Sequence, residues 1–253
     1  MTTITHTYYL VVRSLRETWR QPALEITNIF IPMFFFAVTV GAIGNVAGRA
    51  FGVTNYTGFQ MPIAVLQAVA GASGAAGIGM ITDIEKGYFD KLMLTPTPRI
   101  SLVLGRLVAD GVRTMMLSVL IGVAGIIAGS GFATGPAGFA LMIVLAGMFG
   151  LAYSGIGVAL ALRTGSQQAA QLGFLLFFPL IFLSTAFAPK EFFAGWLQFL
   201  ATINPVTYVV QGMRNLVLDG WDAGSLLGML ASIVGLGVLT MTLVAWGYRA
   251  RTA

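Results

Sequence analysis

The sequence predicts an all-α integral membrane protein: six transmembrane helices, an interfacial helix before the first, and two short re-entrant helices between the fifth and sixth. Three observations point there. Of the 253 residues, 57% are hydrophobic and 9% charged, with a mean hydropathy of +0.86. No Lys, Arg, Asp or Glu falls between Arg113 and Arg163, and similar charge-free runs cover 26–48, 50–82, 164–189 and 223–248. A charge at the bilayer centre costs about 2.5–3.5 kcal/mol even on insertion scales, so charged residues mark where spans begin and end. Glycine is abundant, at 32 residues, as membrane helix contacts require. The whole chain, 1–253, reads as one transmembrane domain.

The first element is an interfacial helix over 7–21. A 3.6-residue period puts Tyr8, Val11, Val12, Leu15 and Trp19 on one face and Arg13, Arg16 and Arg20 on another, before Pro22 ends the run. It serves either as a simple anchor on anionic headgroups or in gating and partner contact. With no continuous apolar core and no small-residue cleavage site, it is not expected to be a cleaved signal peptide.

A membrane helix needs about 20 mostly apolar residues. Six stretches qualify: Leu24 to Gly44, Gly58 to Ile81, Leu107 to Ala128, Ala137 to Leu162, Ala169 to Phe187, and Ser225 to Tyr248. Six spans place both termini on one side. Arg13, Arg16, Arg20, Lys86, Lys91, Arg99, Arg106, Arg113, Arg163, Arg249 and Arg251 make that side the cytoplasm of a bacterial plasma membrane; Arg49, Lys190 and Arg214 fall outside. Small residues repeat at four-residue steps: Ala64, Ala68 and Ala72, Gly71, Ala75 and Gly79, Gly125 and Gly129, Gly150 and Ser154, Gly228 and Ser232. They serve packing within the chain or a seam between two copies.

Between spans two and three lies the longest charged stretch, 83–99. A polar helix near Ile84 to Leu94 is stopped by Pro96 and Pro98, to lie along the membrane surface or act as a solvated connection. Between spans five and six, two pieces, Lys190 to Ile203 and Pro205 to Leu218, are too short to span and form the re-entrant region 188–218. Asn204 suits an N-cap and Pro205 the first helical position, and Phe192, Trp196, Phe199 and Leu200 give the first piece an apolar face.

Several classes of chemistry drop out. There is no cysteine and one histidine, His6, so thiolate, disulfide and zinc sites are not expected. No Gly-x-x-x-x-Gly-Lys-Ser/Thr loop occurs, so nucleotide hydrolysis is not expected of this chain. The net charge of +5 is scattered between apolar runs rather than gathered on one face, which argues against nucleic acid. A secondary transporter would need ionisable groups in the membrane; Glu25, Asp110 and Arg113 are placed near span ends, the last two as a local pair. A channel filter and an enzymatic nucleophile, base and orienter set are also lacking.

The two polar segments carry a resemblance. Glu85-Lys86-Gly87, Asp90, Leu92 and Thr95-Pro96, followed by Arg99 and Gly105-Arg106, resemble the cytoplasmic loop of ABC-2 type permeases, the membrane subunits of ATP-binding-cassette exporters. Leu183-Ser-Thr-x-Phe-x-Pro189, Trp196, Asn204-Pro205, Tyr208 and Arg214 are similar to the end of the same family, and the drug-efflux branch of the daunorubicin-resistance type fits best. The resemblance implies that the Glu85 to Thr95 helix couples to a separate ATPase subunit, present in two copies and holding ATP and Mg. It also implies a second permease copy or a related permease. The expected activity is export of a hydrophobic or amphipathic drug, antibiotic or lipid-like compound, with polysaccharide or glycolipid export as the alternative and an ATP-independent carrier behind it. Asn28, Gln60 and Gln67 could line a path with Phe34, or simply bond across helices. Phe182 and Phe187, near Phe177 and Phe178, could form an outer constriction or face lipid and core.

Overall fold

The computed structural model describes residues 3–20, 22–88, 91, 94 and 98–252, and among them there is helix and no strand. The helix expected to be interfacial, α1 (Thr3–Trp19), is followed by α2 (Pro22–Phe51), α3 (Tyr56–Glu85), α4 (Arg99–Ile127) and α5 (Gly135–Thr164). After them come α6 (Gln167–Leu175) and α7 (Phe177–Phe182), then a 3₁₀ turn (Lys190–Phe192), α8 (Gly195–Ile203), α9 (Pro205–Leu218) and α10 (Ala223–Thr252). Five helices, α2, α3, α4, α5 and α10, are long and apolar enough to cross a membrane. Each extends beyond the run of apolar residues that predicts it.

The fifth expected span differs. Residues 167–182 are apolar but break at Leu176 into α6 and α7. Pro179 supplies the reason: it has no N–H for the Leu175 carbonyl, and its ring crowds that oxygen, so the helical ladder cannot run straight through.

The core is built around α3 and α5, which pack heavily on each other; α10 covers α5, α4 lies against both, α2 lies on α3, and α6 sits against α3 and α5. These crossings rest on small residues. A Cβ on Gly77 would stand 2.7 Å from the Gly157 carbonyl oxygen, and one on Gly111 would stand 3.0 Å from that of Gly147. Gly71, Gly79, Gly125 and Gly150 face Asn28, Arg106, Met61 and Thr114, and Gly228 lies 3.5 Å from Tyr208, so these small-residue positions pack within the chain. Phe149, Tyr153 and Phe177 join α5 to α7 in stacked and edge-on contacts with Tyr153 fully buried. In contrast, α2 and α10 turn Ile26, Phe30, Phe34, Val38, Val234, Val238 and Trp246 outward. An outward apolar surface is the natural one for a chain whose solvent is lipid.

The connections define two ends. At one, α3 leads into the charged loop and Gln167 Nε2 donates to Glu85 Oε2 at 3.2 Å. At the other, Asn55 Nδ2 donates to the Gly129 carbonyl at 3.5 Å and Ala133 N to the Val217 carbonyl at 2.9 Å. There Asp222 caps the start of α10, and the backbone N–H of Ser225, 2.8 Å away, leads the hydrogen bonds that hold its carboxyl below the usual range.

Candidate functional site

Three polar constellations stand out in this apolar bundle. The first joins α1 to the charged loop. Arg13 Nη2 lies 2.6 Å from Asp83 Oδ1 and its Nη1 3.2 Å from Oδ2, a two-pronged grip across 70 residues of chain. Arg106 Nη1 reaches the same carboxylate at 2.8 Å, and Glu17 sits 2.6 Å from Arg13 and 3.6 Å from Arg106. Two guanidiniums thus meet two carboxylates in a balanced square. The Arg13 guanidinium also stacks 3.8 Å over the Tyr88 ring. Partial burial works against the charge of Arg13, yet the hydrogen bond and negative charge of Asp83 outweigh it and hold that guanidinium above its ordinary range. Arg13 is therefore engaged within the protein, whereas Arg16 and Arg20 remain exposed. Glycine makes the square possible: any side chain on Gly79 would overlap the Arg106 guanidinium, and one on Gly105 would meet Leu10 of α1.

The second lies two turns further along α4. Arg113 Nε and Nη2 stand 2.9 and 2.8 Å from the two carboxylate oxygens of Glu25, on α2, while Asp110, one turn back on the same helix, is 3.8 Å from Nη1. The local Asp110 to Arg113 pair expected from their spacing is the weaker contact. The main partner comes from another helix: Asp110 and Arg113 are buried midway along α4, whereas Glu25 stands half-buried in the first turn of α2. Because a lone acid in the first span and a lone base in the third each demand a counter-charge, charge neutrality was the signal that could have linked them.

The third fastens the far end. Arg214, on α9, donates from Nε to the Phe59 carbonyl at 3.3 Å and from Nη1 and Nη2 to the carbonyls of Thr185 and Ala186, each at 3.1 Å. Its guanidinium lies 3.4 Å over the Phe59 ring. Asn204 caps α9 by accepting from Val206 N at 3.0 Å, and its Nδ2 donates to the Leu180 carbonyl at 2.5 Å. Tyr208 Oη donates to the Thr202 carbonyl at 2.7 Å. Three short helices are thereby tied to α3 around a cleft of about 590 Å³ lined by Asn55, Phe59, Phe132, Arg214 and Asp219. Replacing Arg214 by leucine strands three carbonyl acceptors and is expected to cost about 2 kcal/mol. Thermal unfolding in detergent checks this, with the larger loss expected in α7 to α9 by hydrogen exchange.

The residues singled out from sequence are placed as follows. Glu85 ends α3, Lys86 caps it, and Gly87 turns the chain with φ +66°, a left-handed conformation that glycine adopts without strain. Ile84 and Glu85 thus finish a long helix, and beyond the Gly87 turn Tyr88 and Lys91 are helical again, with Lys91 N donating to the Gly87 carbonyl at 3.2 Å. Asp90, Leu92, Thr95 and Pro96 lie outside the described residues. Asn28 abuts Gly71, Gln60 is buried with Oε1 unpartnered, and Gln67 is half-buried one turn before Gly71. Phe34 faces outward, away from these polar groups. Phe182 and Phe187 come together, stacked at 5.0 Å. The piece expected to be helical from Lys190 begins as a single 3₁₀ turn after Pro189, and α8 starts only at Gly195; Phe192, Trp196 and Phe199 point outward.

A bundle of membrane-crossing helices, with its charges paired across helices and no phosphate-cradling loop in its sequence, defines the class as a multi-pass membrane protein of the permease type. The chain belongs to the ABC-2 type transporter family, whose profile matches residues 5–218. It is thereby the membrane subunit of an ABC transporter system, in which ATP binding falls to a partner. It is 26% identical over 243 residues to the probable doxorubicin resistance ABC transporter permease protein DrrC of Mycobacterium tuberculosis, covering 95% of this chain and 87% of the relative. The daunorubicin resistance ABC transporter permease protein DrrB1 of Streptomyces coeruleorubidus is 27% identical over 252 residues, with 92% and 86% covered. A putative transport permease, ycf38, of Cyanophora paradoxa is 29% identical over 215 residues, with 83% and 73% covered.

Proposed function

We propose that this chain carries a hydrophobic or amphipathic compound, a drug, antibiotic or lipid-like molecule, out of the cytoplasm or inner leaflet of a bacterial cell membrane, powered by two copies of a separate ATPase subunit that bind ATP and Mg. The observation that carries this reading is the family match over 5–218 together with full-length likeness to permeases named for doxorubicin and daunorubicin resistance. The assembly pairs two permease copies, or this one and a related permease. Both termini lie in the cytoplasm. Residues 169–187 act as the fifth of six spans: although broken, this stretch runs from beside Gln167, bonded to Glu85 at the charged end, to Thr185 and Ala186, bonded to Arg214 at the other. The short helices α8 and α9 then dip into the membrane from outside, with the outward apolar face of Trp196 and Phe199 toward lipid or the second copy.

In the cycle, ATP closes the partner ATPases on the segment Glu85, Lys86, Gly87, Asp90, Leu92, Thr95 and Pro96. Arg13, stacked on Tyr88 and bonded to Asp83, passes that push to α1. The Phe182 and Phe187 stack, beside the Arg214 and Asn204 fastenings, closes the outer gate until the push arrives. Asn28, Gln60 and Gln67 offer the polar groups of the path.

The test begins with tagged protein taken from its native membranes in mild detergent. A P-loop ATPase is expected to co-purify near stoichiometry and to show ATP hydrolysis stimulated by daunorubicin; an intact complex without one overturns the reading. In the reconstituted complex, Glu85→Ala with Gly87→Ala is expected to lower transport at least tenfold while basal hydrolysis persists, since binding energy at the ATPase can drive the permease only through differential contact. Transport unchanged by both substitutions would remove the coupling role from this segment.

A further inference from the structure

The Glu25, Asp110 and Arg113 cluster holds two carboxylates for one guanidinium. The guanidinium turns its Nε and Nη2 edge to Glu25, leaving Nη1 on the side of Asp110. The less well met of the two acids is Asp110: its residue is only 6% exposed, its Oδ2 is buried without a hydrogen-bond partner among the described residues, and its Oδ1 stands 3.8 Å from Arg113 Nη1, just beyond hydrogen-bond reach. A buried carboxylate left half-unmet one turn from a base is an acceptor in waiting.

The helix that supplies the current acceptor is lightly held along its length. Pro32 sits inside α2 and removes one N–H from its ladder, and beyond it Phe36 and Ala47 are buried while most other side chains face outward. Before Pro32, Ile26, Thr27, Phe30 and Ile31 are exposed, and Glu25, Asn28 and Ile29 are only half-buried. That segment is held by the Arg113 ion pair and by Asn28 at Gly71, with little apolar burial to keep it. It is also the direct continuation of α1, which the Arg13, Asp83 and Arg106 square ties to the charged loop.

We infer that Arg113 is the pivot of an intramembrane exchange: it grips Glu25 while α2 lies against α4, and takes Asp110 instead when the segment before Pro32 swings away. Asp110 thus acts as a positioning residue for the transport cycle, keeping the guanidinium paired in both conformations. The nucleotide-dependent half of this inference rests on the exporter reading; the exchange itself does not.

Because the chain has no cysteine, nitroxide pairs can be placed at Ile26→Cys on α2 and Met116→Cys on α4, both exposed, without removing native thiols. The complex, reconstituted in liposomes with labelled copies diluted by unlabelled ones, is measured by double electron–electron resonance. A single distance is expected without nucleotide and a second, longer one after vanadate trapping with ATP. Glu25→Gln is expected to populate the longer distance without nucleotide. Asp110→Asn, which leaves the Glu25 pair intact, is expected to keep the heat stability of the unsubstituted chain, to lose the longer distance on trapping and to lower daunorubicin transport by about tenfold. If Glu25→Gln leaves the resting distance unchanged, or if Asp110→Asn traps like the unsubstituted chain, the exchange is wrong. If no ATPase partner joins the complex, the Glu25→Gln comparison alone decides the exchange, and the exporter reading fails separately.

Discussion

Arg113→Leu is expected to destabilise the folded chain by about 3 kcal/mol, because it leaves Glu25 and Asp110 in an apolar interior without their main counter-charge. The interior position matters: the side chains of Arg113, Asp110 and Glu25 are 7%, 9% and 22% exposed, so solvent does little to screen the orphaned acids. The same argument has a second, more discriminating half. Breaking a buried ionic cluster is costly, but replacing all of it by apolar groups of similar size is often neutral. Leucine at Glu25, Asp110 and Arg113 together is therefore expected to recover most of the thermal stability in detergent while transport stays lost. Stability that falls further in the triple variant would mean that the cluster holds the fold and does not serve a moving part.

Gly77→Leu is the second large effect, expected at about 3 kcal/mol. At this crossing α3 and α5 touch backbone to backbone. A Cβ on Gly77 would lie 2.7 Å from the Gly157 carbonyl oxygen and 2.8 Å from Ala170 Cβ, and neither neighbour has a flexible tip that could yield. The two central helices would have to separate, and α6 with them. Gly235→Leu is the matched control, since nothing lies within 4 Å of a Cβ there, and its unfolding midpoint is expected to stay unchanged. Scanning fluorimetry of both variants in the same detergent checks the difference.

The extent to which each part was legible in the sequence follows from the range of the interaction that decides it. The long helices were legible because bilayer insertion depends on local composition, and charge-free runs bounded by arginines announce it. The cap at Asn204 and Pro205 was legible for the same reason: capping is settled within three residues. The chain's lack of a phosphate-binding loop is also a local fact, and the ordered motifs of 85–106 and 183–214 were enough to suggest the family that the profile match over 5–218 shows; the turn at Gly87 inside the expected Ile84 to Leu94 helix was not foreseen.

What the sequence could not decide were choices of partner. Arg13 has the spacing of a headgroup-binding arginine, yet Asp83, 70 residues away, claims it. Asp110 has the spacing of an Arg113 partner, yet Glu25, 88 residues away, takes the shorter bonds. Arg214 looks like an isolated cation and is spent on three backbone carbonyls of distant turns. By itself, then, the sequence determined that this chain lives in a membrane, where its long helices run and, by resemblance, to which family it belongs. Only the tertiary structure decided which charges meet, because in an apolar interior each charge must find a counter-charge or carbonyl wherever helix packing brings one, and packing is set by glycine contacts far apart in the chain.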